Sequence, residues 1–303
     1  MYKMKNLVIC PEFTNHCNFK CIKCPQSLYK KISIGRNSFY REKGYMPENL
    51  FNIVLKNVKK YAKEVSIGFF GEQMLHPKFN EFIKSLAYNK KYELTINTNL
   101  SLVTNKNIEI LKLFDEVRIN LDSSYSLLYN RTCPGTVLDI NGNINHNRLE
   151  TISKKLEYWL SLPDHSPTRI VYTVSSFNEH DKNQFVKLWL PKLTNKDYIL
   201  MKSIISYGGI IYNLNIKNNI CKIPQRLYFV ISWNGDCTPC NLDVNLALKV
   251  GNLNKEKDIM LIIRSYKWKN IISHIKNKDG ICLNCPDANN WTKNKQFKGK
   301  NLC

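Results

Sequence analysis

The sequence predicts an α/β protein with a small second domain at its C-terminal end. Short apolar runs alternate with longer segments in which apolar residues recur every three or four positions. Repeated strand-then-helix units of this kind place the strands parallel to one another, with right-handed crossovers. About six units are recognisable, enough for a partial (β/α)6, TIM-like barrel but fewer than the eight of a closed barrel.

The individual elements follow from apolar runs that end in polar or glycine-containing turns and from helical spacing. The predicted strands are 5–11, 64–70, 92–97, 116–121, 169–174 and 198–203. The predicted helices are one that begins at Pro47-Glu48, and those at 78–89, 105–114, 124–130, 147–161 and 180–190, while 141–145 reads as a loop. Ligands of such folds bind where the parallel strands end, so we expect the functional site there.

The pattern changes near residue 205. Alternation from Leu227 to Trp233, followed by Asn234-Gly235, predicts a β-hairpin, and a helix at about 257–275 precedes a Lys/Asn-rich tail. We therefore expect two domains, 1–208 and 209–303, the second a small β-hairpin/helix domain.

Composition excludes some classes of function. With 43% apolar residues in 303, the chain can bury a core, yet no run approaches the roughly 18 apolar residues of a membrane span. We expect a cytoplasmic protein with no membrane partner. The net charge of +21 is spread along a chain rich in Lys, Asn, Ile and Tyr, which favours compositional drift over nucleic-acid binding. The charge is also compatible with an acidic or phosphorylated substrate.

Eleven cysteines in a cytoplasmic protein indicate metal or redox chemistry rather than structural disulfides. Three of them, Cys17, Cys21 and Cys24, follow the first strand on one loop. Three thiolates can hold three corners of an iron–sulfur cube and leave the fourth iron open for another ligand. Zinc or a disulfide is the alternative, although the spacing differs from the paired C-x2-C arms of zinc ribbons.

The loop and the segments after it resemble the radical S-adenosylmethionine (SAM) enzymes over nearly the whole chain. After the C-x3-C-x2-C loop come Gly71-Glu72-Gln73, Asn97-Thr98-Asn99, Asn120-Leu-Asp122-Ser123 with Arg131, and Phe177-Asn178-Glu179, each at the end of a predicted strand. Four residues depart from the family pattern: Lys23 replaces an aromatic residue, Gln73 a proline, Leu100 a glycine and Asn120 a serine.

This resemblance implies how the site works. SAM would chelate the open iron of a 4Fe–4S cluster held by the three cysteines and be cleaved reductively to a 5′-deoxyadenosyl radical. The electron would come from a low-potential donor such as flavodoxin or ferredoxin. The implied SAM-binding residues are Gly71, Glu72, Asn99, Asn120, Asp122, Ser123, Arg131 and Asn178.

The C-terminal cysteines resemble the SPASM domain, or its shorter twitch form. Cys221, Cys240, Cys282 and Cys285 would hold an auxiliary 4Fe–4S cluster; a zinc knuckle is the alternative. Cys237 competes with Cys240 as a ligand, and Cys303 is either a further ligand or a bystander. Cys133 lies near the expected SAM face as a hydrogen donor, a substrate contact or a thiol without a role.

Together these features predict an oxidoreductase that abstracts a hydrogen atom from a small sugar- or cyclitol-like metabolite and passes an electron to the auxiliary cluster. A maturase of a ribosomally made peptide is one alternative, although the core begins almost at Met1 and leaves no room for an N-terminal peptide-binding domain. A basic, zinc-containing nucleic-acid-binding protein is the alternative from another class.

Overall fold

The computed structural model describes residues 7–28, 39–205, 207, 221, 227–277, 282, 285 and 295–299. The chain divides into two compact units: Met1–His16, Cys24–Leu94 and Ile205–Trp291 form the first, and Cys17–Lys23, Thr95–Ile204 and Thr292–Cys303 the second. These units are drawn differently from the predicted domains 1–208 and 209–303, whose boundary stays a prediction. Cys303 lies outside the described residues.

Strands and helices alternate along most of the chain. The strands are β1 (Val8–Pro11), β2 (Glu64–Ile67), β3 (Glu93–Thr98), β4 (Glu116–Asn120), β5 (Val137–Leu138), β6 (Ile144–Asn145), β7 (Thr168–Val174), β8 (Tyr198–Ser203), β9 (Tyr228–Ile231), β10 (Asp236–Thr238), β11 (Gly251–Asn252) and β12 (Lys295–Lys298). The α-helices are α1 (Glu48–Tyr61), α2 (Phe79–Ala87), α3 (Ser126–Thr132), α4 (Arg148–Ser161), α5 (Lys182–Trp189), α6 (Leu253–Glu256), α7 (Ile259–Arg264) and α8 (Tyr266–Asn277).

The first unit contains a mixed sheet built around β1. β1 pairs in parallel with β2 on one side and with β9 on the other. β9 continues into the predicted hairpin with β10, and β11 adds to β10 antiparallel. Phe13, directly after β1, packs its ring edge-on against Phe51 of α1 and Phe82 of α2, so the apolar faces of both helices hold the end of this strand.

The second unit contains the later parallel strands. β4 lies between β3 and β7, β7 pairs in parallel with β8, and β12 adds to β8 antiparallel. One face of this sheet is apolar and carries helices. The ring of Tyr172 lies 4.6 Å from that of Phe185 on α5, and the indole of Trp159 on α4 donates to Thr168. The other face carries partly exposed charged side chains, among them Arg118, Arg169 and Lys202, together with the buried Val171 and Leu200.

The six predicted parallel strands are confirmed within a few residues of their ends. Three expectations are wrong, and the tail, for which the sequence predicted no element, contains a strand. The helix at 105–114 is a short 3-10 helix, Ile108–Leu113, and the loop at 141–145 is the tip and return strand of the β5–β6 hairpin. The helix at 257–275 is broken, because the Ser265 hydroxyl accepts a hydrogen bond from the N–H of Trp268 and caps a new helix. The tail contains β12, whose residues Lys295–Lys298 pair with β8.

In the described part of the chain, no helix is both long enough and apolar enough to cross a membrane.

A buried ion pair joins the end of β1 to the segment before α1. The Arg41 guanidinium binds both carboxylate oxygens of Glu12, at 2.9 and 2.7 Å, and Arg41 Nε donates to the carbonyl of Val244. The Glu12 side chain is completely buried. This geometry satisfies both charges, and either one alone would be left in a poorly solvated site.

Replacing Arg41 by Met should therefore lower the free energy of unfolding by about 3–5 kcal/mol, measured by urea denaturation, because Glu12 stays buried without its counter-ion. The control is Lys78→Met, which breaks the exposed ion pair with Glu48 and should change stability by less than about 1 kcal/mol. Equal effects of the two substitutions would contradict this view of the Arg41 pair.

Candidate active site

The side chain of Gln73 fixes the end of β1 to the turn after β2. Its Oε1 accepts hydrogen bonds from the backbone N–H groups of Phe13, at 2.7 Å, and Thr14, at 3.3 Å. Its Nε2 donates to the carbonyls of Thr14, at 3.0 Å, and Phe70, at 2.7 Å. A proline at this position has no amide to make these bonds. The departure from the family pattern therefore has a structural role.

Gly71 allows the turn after β2 to approach Thr14 and His16, which follow β1 in the first unit. Its φ is +86°, and a Cβ atom there would lie 2.6 Å from the carbonyl oxygens of both Thr14 and His16. The next residue, Glu72, donates its backbone N–H to the same carbonyl of His16 at 2.8 Å. The Glu72 side chain is buried and its carboxylate accepts from Met74 N–H. The structure thus places Gly71 and Glu72 against the residues that lead into the loop.

The loop from Cys17 to Lys23 lies in the second unit, where it runs along the segment after α3. Lys20 N–H donates to the carbonyl of Pro134 at 2.7 Å, and Ile22 N–H donates to that of Thr132 at 3.0 Å. Gly135 has no room for a side chain, because a Cβ atom there would overlap the ring of Phe19. These backbone bonds fix the conformation of the loop that carries Cys17 and Cys21. Cys24 belongs to the first unit.

Cys133 lies beside this loop. It is buried, and its thiol is hydrogen-bonded to the thiol of Cys21, with the Thr132 hydroxyl 3.8 Å away. Sequence reasoning left Cys133 open between a hydrogen donor, a substrate contact and a thiol without a role. The contact with Cys21 shows it to be a neighbour of the cysteine loop.

A hydrogen-bond network joins the loop to the turn after β3. Asn18 Nδ2 donates to the hydroxyl of Ser101 at 2.7 Å, and Asn99 Nδ2 donates to Asn18 Oδ1 at 3.3 Å. The buried Lys155 of α4 donates to the carbonyl of Ser101 at 2.9 Å. Burial lowers the pKa of Lys155 to about 8. Asn99 thus lies against the loop as the sequence predicts, and Lys155 supports it from behind.

Leu100 stands where the family has glycine, and its backbone explains that preference. Its φ is +61°, in the left-handed region that favours glycine, while its side chain is fully buried. The gain from burying leucine therefore offsets the backbone strain at this turn.

Lys23 forms an ion pair with Asp122 at the end of β4. The other carboxylate oxygen of Asp122 accepts from Thr173 N–H, at 2.5 Å, at the end of β7. Asn178 uses its whole amide in the same region: Nδ2 donates to the carbonyls of Asp122 and Thr173, and Oδ1 accepts from Ser175. Asp122 and Asn178 thus link the ends of β4 and β7. Asp122 also binds Lys23, the residue that stands where the family has an aromatic side chain.

The other predicted residues near β4 differ in their surroundings. The Ser123 hydroxyl is tied to the backbone of Tyr125 in a local turn. Asn120 is partly exposed, and its side-chain amide makes no hydrogen bond to the described residues. Arg131 is exposed on α3 and likewise makes no polar contact to the part of the chain that the structure describes. Neither side chain is held in place by these residues.

Charged side chains that the sequence did not single out lie on the polar face of the second unit. The Glu116 carboxylate of β4 accepts from Arg118, at 2.5 Å, from Arg169 of β7, at 2.7 Å, and from the Tyr198 hydroxyl of β8, at 2.9 Å. Burial alone raises the pKa of Glu116, but Arg118, Arg169 and Tyr198 outweigh it and hold this pKa below its usual value.

Lys202, near the end of β8, lies on the same face. Burial is the main cause that lowers its pKa to about 8, and the positive charges of Lys23, Arg169 and Arg118 lower it further. We call this side of the sheet, with Arg118, Arg169 and Lys202, the basic face.

The C-terminal cysteines form a second group, within the first unit. Burial is the largest cause that raises the pKa of the Cys240 thiol, and nearby Asp243, Cys285 and Cys221 raise it further. Cys285 N–H donates to the carbonyl of Cys282 at 3.2 Å. Cys221, Cys240, Cys282 and Cys285 are all partly exposed, and none of them is in a disulfide. Among the described residues, no three metal-coordinating side chains are already arranged at binding distance.

Cys237 differs from this group. It is fully buried in β10, and its thiol donates to the carbonyl of Gly235 at 3.3 Å. Burial is the largest cause that raises the pKa of this thiol. These surroundings favour Cys240 over Cys237 as a ligand.

Two family models match the chain. Residues 12–157 match the radical SAM superfamily, and residues 221–286 match the SPASM iron–sulfur cluster-binding domain. The first match includes the cysteine loop and the strand ends up to β4, and the second includes the four C-terminal cysteines. Because the second family binds iron–sulfur clusters, the zinc alternative for these thiols is set aside. No curated protein matches the chain.

Solved structures with the same fold include three enzymes. BtrN in complex with AdoMet and 2-DOIA has a TM-score of 0.59 and 16% identity, over 93% of this chain and 92% of BtrN. Streptococcus suis SuiB bound to the precursor peptide SuiA has a TM-score of 0.65 and 14% identity, over 93% of this chain and 70% of SuiB. AdoMet-bound anSMEcpe has a TM-score of 0.60 and 16% identity, over 88% and 83% of the chains. These likenesses confirm the predicted α/β fold with a partial TIM-like barrel.

The supporting roles of several residues around the site could not be read from the sequence. Gln73, Asn18 and Lys155 support the loop through side-chain bonds to distant backbone, and such bonds leave no local pattern. Strand β4 did carry a signal, because Glu116 and Arg118 alternate with the apolar Val117 and Ile119, as in a strand with one polar face.

Gly71→Ala tests the close approach to the loop. The positive φ should cost about 1–2 kcal/mol of unfolding free energy, and the overlap with Thr14 and His16 should add about 1–3 kcal/mol. The matched control is Gly142→Ala, whose φ is +96° but whose Cβ would meet only Thr104, at 4.0 Å. Urea denaturation should show a clearly larger loss for Gly71→Ala; equal losses would remove the argument from close approach.

Lys202→Met tests the cost of a cation on the basic face. Below pH 8 Lys202 is charged in both states, so the folded state bears the full desolvation cost, and the variant should be more stable by about 1–2 kcal/mol. Between pH 8 and about 10.4 only unfolded Lys202 keeps its proton, so wild-type stability should rise with pH and the difference should shrink. Urea denaturation at pH 7 and 9.5 measures this, with exposed Lys187→Met as the control. A pH-independent difference would contradict the lowered pKa.

Proposed function

Because the chain belongs to the radical SAM superfamily and carries a C-terminal SPASM domain, we propose that it oxidises a small sugar- or cyclitol-like metabolite by removing a hydrogen atom from carbon. The observation that carries this proposal is the presence of both cysteine sets, each inside its matched region. The enzyme class and its cofactors, SAM, a SAM-binding 4Fe–4S cluster and an auxiliary cluster, follow from the two families. The oxidation and the substrate are our proposal.

The donor atoms fit these cofactors. Cys17, Cys21 and Cys24 would hold the SAM-binding cluster, and three thiolates leave one iron open. Cys221, Cys240, Cys282 and Cys285 would hold the auxiliary cluster. The thiols of both sets are partly exposed and in no disulfide, and Cys240 is close to Cys221 and Cys285. Both observations support this choice. With four protein ligands the auxiliary cluster has no open iron, so its role would be to accept an electron rather than bind the substrate.

When bound, the reduced cluster and SAM supply the 5′-deoxyadenosyl radical that removes the hydrogen atom. The chain's own part is to bind and orient SAM. Gly71 lets the turn after β2 come close to Thr14 and His16, and the buried carboxylate of Glu72 suits the ammonium group of the SAM methionine. Asn99 and Asn120 offer amides at strand ends for ribose hydroxyls. Ser123 and Arg131 stay candidates for polar SAM contacts.

Two of the implied SAM-binding residues would act indirectly. Asp122 is paired with Lys23, and Asn178 has no amide group left for a ligand, so we assign both the positioning of strand ends and of Lys23. A low-potential donor of the flavodoxin or ferredoxin type would supply the electron for SAM cleavage. The auxiliary cluster would accept the second electron of a net two-electron oxidation.

Two of the structural relatives, BtrN and SuiB, suggest different substrates. The chain covers 92% of BtrN, whose complex holds 2-DOIA, and 70% of SuiB, whose complex holds a precursor peptide. The likeness to BtrN, with a TM-score of 0.59, supports the small metabolite. A peptide maturase is the second candidate, supported by the TM-score of 0.65 to SuiB.

Iron content and SAM cleavage test the proposal. Protein reconstituted without oxygen should bind about eight irons, as two 4Fe–4S clusters require, and with dithionite it should release 5′-deoxyadenosine. Cys17→Ala, Cys21→Ala and Cys24→Ala should each abolish that release, because the open-iron cluster is lost. Iron is measured colorimetrically, and 5′-deoxyadenosine by chromatography.

The same measurement of iron content also tests the auxiliary site. Cys240→Ala or Cys285→Ala should remove about half of the iron. The buried Cys237→Ala serves as the matched control and should retain all of it. Full iron in Cys240→Ala, or half in Cys237→Ala, would refute the ligand choice, and no 5′-deoxyadenosine from fully loaded wild-type protein would refute the proposed function.

A further inference from the structure

The basic face is formed by alternate residues of adjacent parallel strands. Arg118 of β4 is opposite Arg169 of β7 in the strand register. Thr173, four residues after Arg169, is opposite Lys202 of β8. Because side chains alternate between the two faces of a strand, Arg118, Arg169 and Lys202 point to the same side. The hydrogen bonds of Glu116 to both arginines and to Tyr198 confirm that side.

The carboxylates described on this face are already engaged. Glu116 binds Arg118, Arg169 and Tyr198, and Asp122 binds Lys23 and Thr173 N–H. Lys202 has neither an ion pair nor a hydrogen bond with any residue that the structure describes, and the charged groups among those residues that affect its pKa are all cations. A lysine in this setting destabilises the folded chain, since its charge is desolvated and repelled. None of the described contacts of Lys202 requires its positive charge.

The position of Lys202 is that of a ligand-binding residue. It lies one residue before the end of β8, opposite Thr173 near the end of β7. Ligands of parallel α/β sheets bind at these carboxyl ends. Lys23, from the cysteine loop, is close enough to repel Lys202. Lys202 is partly exposed and therefore open to a ligand.

We propose that Lys202, with Arg118 and Arg169, binds an anionic group, a phosphate or carboxylate, of the small-molecule substrate. This inference rests on the proposed function and narrows its substrate from a neutral sugar or cyclitol to an acidic or phosphorylated one. The anion supplies the counter-charge that Lys202 lacks among the described residues. Arg118 and Arg169 are paired with Glu116, and their guanidinium groups add positive charge to the face on which Lys202 lies.

SAM itself is a poor candidate for the ligand of Lys202. SAM has one carboxylate but also an ammonium and a sulfonium group, so its net charge is positive. A face in which cations outnumber the described carboxylates repels such a ligand as a whole and attracts an anion. Binding of the SAM carboxylate by Lys202 is a separate outcome, which the experiment distinguishes from binding of a substrate anion.

The experiment measures anion binding directly on cluster-loaded protein without oxygen. Inorganic phosphate and, separately, succinate are titrated by calorimetry at pH 7 and constant ionic strength, and SAM is titrated in parallel. Lys202→Gln should raise the dissociation constant of the preferred anion about tenfold or more, because a charge-assisted bond is lost. Comparing phosphate with succinate identifies which anion the site prefers.

The matched control is Lys187→Gln, which removes an exposed lysine of α5 in the same unit and should leave anion affinity unchanged. Lys202→Arg should restore most of the affinity by restoring the charge, and circular dichroism checks that each variant is folded. Equal anion affinity in wild type and Lys202→Gln would overturn the inference, as would a parallel loss of SAM affinity, which would assign the cation to SAM. Intact anion binding in wild-type protein that never cleaves SAM would instead refute the proposed function and leave the anion site standing.

Discussion

The close approach of two backbone segments at the end of β1 is the constraint on which the site depends. Thr14 and His16 lead into the cysteine loop, and their carbonyls occupy the space that a side chain at position 71 would need. Gln73 locks this arrangement with four hydrogen bonds, and Phe13 anchors it in the apolar core between α1 and α2. The packing of ordinary hydrophobic helices thus fixes where the loop begins.

Charge is used in two different ways in this fold. Glu12 and Arg41 form a closed, bidentate pair in which each charge satisfies the other, which suits a structural role. Lys202 lies among other cations and lacks an acidic partner in the described chain, so its charge lowers stability. Charged groups of this kind are found where a bound ligand supplies the opposite charge. The basic face therefore indicates the charge of the substrate more directly than the net charge of +21 does.

Much of the fold could be predicted because its signals are local. A run such as Glu116–Asn120 is short, partly apolar and ended by a turn, and that is enough to place a strand and, with its neighbours, a parallel sheet. The failures arose where distant contacts decide. Lys295–Lys298 reads as a polar tail but becomes a strand because β8 offers it an edge. Ser265 breaks a continuous helical pattern because its hydroxyl caps the next helix.

The sequence by itself determined the spacing of Cys17, Cys21 and Cys24, the order of the polar strand ends and the C-terminal cysteines, and these motifs carry the enzyme class and its cofactors. Only the tertiary structure decided which of the polar residues are already bonded within the protein, as Asp122 and Asn178 are. It also decided which face of the sheet carries the cations. The physical reason is distance. Covalent spacing fixes a loop's ligands, whereas desolvation, repulsion and hydrogen bonding depend on residues such as Lys23 and Lys202 that are far apart in the chain and meet only in the fold.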